Sequence, residues 1–493
     1  MNMEKNKTIS ICMYIALVLA IVCSIAYLLM LGWNNVLLLD DYCWVTNVNQ
    51  AGPLGFVRDM AAWQNRFSSL FVSGCIIAIW GHASNLIGYT ILLLILGYAS
   101  IYYALRYIIK DANKWLLVGI TILITNVSIM AYFELSTFYW VCCSGYTLST
   151  YATIALFTAI LLSDGKRWAR WIVVILSSLY LCGGAENFTP ALIAIMGLWI
   201  LYTMIHSRSW KFWISDKQQM MVVSLLMLCV GFVIVVFGEG TKTRALTEAS
   251  NGFMGNFDLI PYTKCLIKSS VIFMMRLGSR GLYYLLLFPF GLWIGSKLKD
   301  QELHSMWKHI VLSTGMAFLA ILISIASAVY GMGWYASLRA YSFVSFGMAA
   351  LIIYWGIAIG RKYKRCYNSY VLVATLAVSA ISISFYRTDQ PLAKAYHDQI
   401  MDCHKNIEEQ VRLGRTEPLI IDAIPYPTRP NTYAILRRTI NKCMGKKSAK
   451  VSEPSHYFPY ERYALSIDPN DWKNVAIQRY FNTPFIIIGW EEE

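Results

Sequence analysis

Apolar runs of roughly twenty residues recur along the chain, separated mostly by short polar gaps. A helix of that length matches the ~30 Å hydrocarbon layer of a bilayer, so each run predicts a membrane span. The runs at 9–32, 84–106, 115–133, 145–163, 169–184, 189–206, 219–238, 282–297, 309–331, 341–360 and 369–386 predict about eleven transmembrane helices. The first, Ile9 to Trp33, is too long for a signal-peptide core and no small-residue cleavage site follows it, so it predicts a retained helix. Phe67 to Gly81 is apolar but short for a span, and predicts an interfacial or re-entrant helix in the first outer loop, 33–83. Tyr262 to Arg280 is interrupted by Lys264, Lys268, Arg276 and Arg280, and predicts a helix lying on the membrane surface.

After about residue 387 the pattern changes. His397 to Leu413 repeats apolar residues at helical spacing, with Ile400, Ile407 and Val411 on one side. Leu419-Ile420-Ile421 and Phe485-Ile486-Ile487-Ile488 are short apolar runs that predict buried strands. The expected architecture is an all-α polytopic membrane domain, 1–386, followed by a small α/β extracytoplasmic domain, 387–493.

Composition agrees. The 493 residues are 57% hydrophobic and only 14% charged, against about 25% in soluble domains. The basic residues set an orientation. Lys5/Lys7, Arg106/Lys110/Lys114, Lys166/Arg167/Arg170, Arg208/Lys211/Lys217, Lys297/Lys299/Lys308 and Arg361/Lys362/Lys364/Arg365 fill the N-terminal tail and every second gap after it. Of the gaps between, 134–144 and 185–188 hold no Lys or Arg, and 332–340 holds only Arg339. The positive-inside rule then predicts a cytoplasmic N-terminus and an outer C-terminus. The same rule accounts for much of the +14 net charge, which therefore predicts no nucleic-acid partner. The twelve cysteines have no metal-site spacing, and Cys403 with Cys443 is the one pair placed for an outer disulfide.

With that topology the unusual polar residues fall on one side of the membrane. Asp40, Asp41 and Arg66 lie in the first outer loop, Tyr139 and Trp140 in the second, and Glu186 and Asn187 in the third. Arg244 lies in the fourth and Arg339 in the fifth. A carboxylate can take a proton from an attacking hydroxyl. Arginines can stabilise a leaving phosphate. No GxxxxGK[ST] loop or dinucleotide fingerprint is present, so the energy for transfer would have to arrive in a lipid-linked donor.

Asp40-Asp41-Tyr42 in a long first outer loop after one span resembles the GT-C superfamily of membrane glycosyltransferases. Trp63-Gln64-Asn65-Arg66-Phe67, Phe138-Tyr139-Trp140 with Gly145-Tyr146, Glu186-Asn187 and Asp468-Pro469-Asn470-Asp471-Trp472 resemble a bacterial multipass group within it, close to the O-antigen glucosyltransferases. The resemblance implies an inverting transferase at the outer face of the bacterial cytoplasmic membrane. It would move a hexose from a polyprenyl-phosphate donor to a cell-envelope glycan or lipid-linked acceptor. It implies Asp40 or Asp41 as base, with Arg66, Arg244, Arg339, Glu186, Asn187, Trp140 and Tyr139 around the substrates. A donor synthase and a flippase are the partners it suggests. No cofactor is required; some superfamily members bind a divalent cation, and nothing in this sequence demands one. A lipid-linked oligosaccharide flippase would also be polytopic, but should carry charges within its spans. An O-antigen polymerase or ligase should place its groups in a large late loop.

Overall fold

The structure, a computed structural model, describes residues 2–38, 40–108, 114–161, 165–185, 187–207, 215–248, 257–298, 306–332, 335–363, 365–422, 424 and 465–490. Its helices are α1 (Asn2–Trp33), α2 (Asp40–Met60), α3 (Phe67–Trp80), α4 (Ile87–Ile108), α5 (Lys114–Met130), α6 (Ser136–Tyr139), α7 (Ser144–Leu161), α8 (Arg167–Cys182) and α9 (Phe188–Ser207). They continue with α10 (Asp216–Phe237), α11 (Glu239–Glu248), α12 (Leu259–Leu285), α13 (Phe288–Lys297), α14 (Met306–Met332), α15 (Ser342–Tyr363), α16 (Asn368–Arg412) and α17 (Trp472–Phe481). Strands β1 (Leu419–Asp422) and β2 (Ile487–Trp490) pair in parallel.

Among the described residues seven helices are long and apolar enough to cross a membrane, and an eighth crossing arises if Leu259–Gly278 and Tyr283–Lys297, bent by 52° at the break between them, form one span. The expected spans at 115–133, 145–163 and 169–184 fall on α5, α7 and α8, which are shorter or less apolar. α1 shows why these helices need lipid. Met13, Leu17, Ala20, Tyr27, Leu28 and Leu31 recur at three- and four-residue spacing and are buried, while Ile11, Ile15, Val18 and Val22 are exposed. An outer face that apolar is stable against acyl chains and not against water.

The contacts fix relative direction. Ser10 meets Asn368, and Tyr27 meets Asp389, so α1 and α16 run parallel. Asn126 of α5 donates to Ser24 of α1 at 2.8 Å and accepts from Tyr98 of α4 at 2.8 Å, a polar tie inside an apolar bundle. Tyr284 reaches both Ala131 O and Ser345 Oγ, so α5 ends at the level where α15 begins.

α13 and α15 pack closely because both carry glycines four apart. A Cβ at Gly295 would lie 2.3 Å from Ile357 O, and one at Gly356 would lie 2.7 Å from Phe288 O. Only glycine allows backbones this close. Arg170 is buried, and its guanidinium donates to Ala159 O at 2.8 Å and Ile160 O at 3.2 Å, satisfying carbonyls left open where α7 ends.

α3 stays at one end of the bundle. Ser68 and Ser69 N donate to Gly183 O, Ser73 meets Ser144, and Gly81 packs on Val45. Those partners lie where α8 ends and where α7 and α2 begin. α12 begins on Ala326 and packs Phe273 on Tyr341, again along that end, before α13 turns inward. The surface helix expected at 262–280 is therefore the first arm of the bent pair and is continuous with 282–285.

α16 is 45 residues long, about 68 Å, more than twice the hydrocarbon thickness. It passes without a break through the expected boundary at 386/387, so the tail starts as an extension of the last span. A strand lies on the run 419–421, a second begins two residues into the run 485–488 and extends to Trp490, and α17 packs on β2 and α2. Cys443 lies outside the described residues, as does Glu186.

Candidate functional site

The second loop, from Tyr139 to Tyr146, is the hub. Asn35, just past α1, donates to Tyr139 O, and Tyr89 of α4 donates to Phe138 O at 3.2 Å. Tyr139 is fully buried and gives its hydroxyl to Leu28 O at 2.9 Å, so the ring is a structural peg inside the bundle. Trp140 is also largely buried, and the Arg339 guanidinium lies 4.7 Å from its ring. Arg339 Nε also meets Ser337 Oγ at 3.3 Å. At the other end of the hub, the Arg66 guanidinium lies 5.8 Å from the Tyr146 ring.

Asp41 docks on the same segment, at Cys142. Asp41 Oδ1 accepts from Cys142 N at 3.1 Å and from Cys142 Sγ at 2.9 Å. Its Oδ2 accepts from Leu38 N at 3.1 Å, and Asp41 N donates to Leu38 O at 2.9 Å. The side chain of Asp41 thus closes back on the backbone three residues before it, where α2 begins. Asp41 is fully buried, while Asp40 beside it is only partly so.

Burial raises the Asp41 carboxyl from 3.8 to about 7, and the nearby Asp40 charge adds to the rise. Hydrogen bonds from Cys142 and Leu38 oppose it without cancelling it. Burial also holds the Cys142 thiol well above its ordinary value, so it remains a donor. The two neighbours thus differ in kind: burial raises the carboxyl of one, while the other is only partly enclosed.

Arg66 sits on the residue before α3. The Gly183 carbonyl satisfies the first α3 amides, which draws the Gly183-to-Asn187 loop to this point. A Cβ at Gly183 would lie 2.6 Å from the Phe67 ring, so the contact requires glycine. Asn187 is buried, its carbonyl accepting from Ser327 Oγ at 3.4 Å.

Arg244 joins through the turn before Arg66. Gln64 Oε1 accepts from Arg244 Nη1 at 3.4 Å, and Asn65 Oδ1 accepts from Thr241 N at 3.2 Å. Gly240 makes this docking possible, because a Cβ there would lie 2.2 Å from Ala61 O. The structure thus brings Asp40, Asp41, Arg66, Trp140 and Arg339 around one loop, with Arg244 and Asn187 one contact further out.

Three features were not singled out from sequence. Lys268 lies 3.8 Å from the Tyr335 ring, close in sequence to Arg339. The tail's His404 and Tyr480 contact Tyr42 directly. Asp389 is fully buried on α16 and accepts from Tyr27 OH at 2.8 Å. The helical spacing of 397–413 could have placed His404 on a face, but not against Tyr42. Among the described residues no group of three or more His, Cys, Asp or Glu is arranged to hold a metal ion. Compared with protein-family models, curated proteins and solved structures, the chain matches none.

Proposed function

We propose that this protein is an inverting glycosyltransferase using a polyprenyl-phosphate-linked hexose at the outer face of the bacterial cytoplasmic membrane. The N-terminus is then cytoplasmic and about eleven helices cross, α5, α7 and α8 among them. What supports this reading most is one segment, Trp140 to Tyr146, that holds the Asp41 carboxylate at Cys142 and has Arg339 beside Trp140 and Arg66 beside Tyr146. Asp40 is the base and Asp41 its buried support. Asp40 takes the proton of the acceptor hydroxyl as that oxygen attacks the anomeric carbon. The bond from that carbon to the phosphate oxygen breaks, and the lipid phosphate leaves with the electron pair. Arg66 and Arg339 stabilise its charge, with Arg244 supporting Arg66 through the Gln64 turn. The resemblance gives Glu186 and Asn187 a part in positioning the acceptor, and the exposed apolar faces receive the lipid.

The test compares envelope glycan by mass spectrometry in cells with wild-type protein, Asp40→Asn, or none. Loss of the same hexose in the last two supports the reading; an unchanged glycan in all three overturns it.

A transporter of lipid-linked sugar is the second reading, favoured by one observation. Asp389 is fully buried on α16 and accepts from Tyr27 of α1, the kind of enclosed carboxyl such a protein would use. Asp389→Asn that blocks lipid-linked sugar movement, with transfer chemistry unaffected by Asp40→Asn, would select it.

A further inference from the structure

The C-terminal segment closes on the acidic loop at its most sensitive point. Tyr42 follows Asp41 directly and is fully buried. Its hydroxyl donates to Leu37 O at 2.9 Å and lies 2.8 Å from His404 Nε2. A tyrosine hydroxyl has one proton, and a carbonyl can only accept, so that proton belongs to Leu37. His404 Nε2 must then carry the hydrogen and donate to Tyr42. The chain is therefore His404 to Tyr42 to Leu37, and it spans the turn whose other end Asp41 closes on Leu38.

His404 stands on the part of α16 that projects beyond the membrane, and burial pulls its imidazole down to about 4. A neutral ring with one N–H is the donor this chain requires. α17 adds a second hold. The Tyr480 ring meets Tyr42 edge-on at 5.1 Å, its hydroxyl donates to Gly81 O at 3.3 Å, and His82 stacks on it at 5.9 Å. The tail thus grips both the start of α2 and the residues that follow α3.

We infer that the C-terminal segment is part of the acidic site, with His404 as a positioning residue that holds, through Tyr42, the Leu37–Asp41 turn presenting Asp40. Its catalytic meaning rests on the glycosyltransferase reading; the positioning itself does not.

Hydrogen–deuterium exchange on the purified full-length protein in detergent tests this. The readout is the peptide covering residues 37–46. His404→Phe keeps the ring against Phe481 but removes the donor, and should speed exchange there about tenfold. His404→Gln, which can return an N–H at the same reach, should restore exchange to within about twofold of wild type. Tyr42→Phe, which loses the bond to Leu37 O as well, should speed exchange at least as much as His404→Phe, and the double variant should be no faster than Tyr42→Phe alone, because His404 acts only through Tyr42. Tyr480→Leu should loosen the same peptide and serves if His404→Phe does not fold. Unchanged exchange in His404→Phe and Tyr480→Leu overturns the proposal. So do effects of Tyr42→Phe and His404→Phe that simply add.

The outcomes separate from those of the functional reading. A loosened turn with transfer intact in Asp40→Asn keeps the positioning and removes the transferase. An unmoved turn with transfer lost in Asp40→Asn does the reverse.

Discussion

Asp41 is bound twice by one residue: Cys142 gives its carboxylate a backbone N–H at 3.1 Å and a thiol at 2.9 Å. This double contact ties the first outer loop to the second. It also separates two adjacent carboxylates, because a group enclosed this way has no surface left for a substrate.

The first prediction concerns that separation. Asp40→Asn should lower sugar transfer by roughly 10²- to 10⁴-fold, the usual worth of a general base, with little change in melting temperature. Asp41→Ala should instead destabilise the fold by about 1–3 kcal/mol, because Leu38 N and Cys142 N lose their acceptor. Melting curves in detergent beside a glycan assay check both.

The second concerns pH. The Asp41 carboxyl is raised from 3.8 to about 7, so the folded protein binds this proton more tightly than the unfolded chain does. Its contribution to stability is complete below about 4 and is lost as pH rises to about 7. Asp41→Asn cannot titrate. Its melting temperature relative to wild type should therefore improve with rising pH across that window and level off above it. A constant difference would contradict the buried, proton-holding carboxyl.

The third tests the thiol. Cys142→Ser keeps a donor at Asp41 and should leave the melting temperature nearly unchanged. Cys142→Ala removes one of the three donors and should cost about 1 kcal/mol. Equal melting temperatures of wild type and both variants would mean that the Leu38 and Cys142 backbone N–H groups hold Asp41 without the thiol.

The fourth tests helix packing. Gly295→Leu would press a side chain into the Ile357 backbone and should cost more than about 2 kcal/mol, or prevent folding. Gly315→Ala, on α14 where a Cβ meets nothing within 4 Å, should be neutral or slightly stabilising. Thermal challenge followed by size-exclusion chromatography distinguishes them.

Much of the architecture was legible without coordinates. Run length marks candidate spans, because a bilayer imposes one thickness on every crossing. The strand runs 419–421 and 485–488 were visible for a similarly local reason: a short apolar run fits one buried strand. The position of Asp40-Asp41 after the first span, and the ambiguity of 67–81, could also be read directly.

Only tertiary structure decided what each side chain faces. Successive residues on a helix point about 100° apart, and only the packing partner says which direction is inward. Asp41 therefore lies fully buried on Cys142 while Asp40 is only partly buried. Tyr139 and Trp140 are neighbours as well, yet one is a buried peg on Leu28 and the other lies beside Arg339. The pairing of Tyr42 with His404 joins residues 362 apart, a contact no local pattern encodes. Sequence by itself determined where apolar length and acidic charge fall, because those are local properties. The fold decided which carboxylate is enclosed and what holds it, because enclosure is made by residues far apart in the chain.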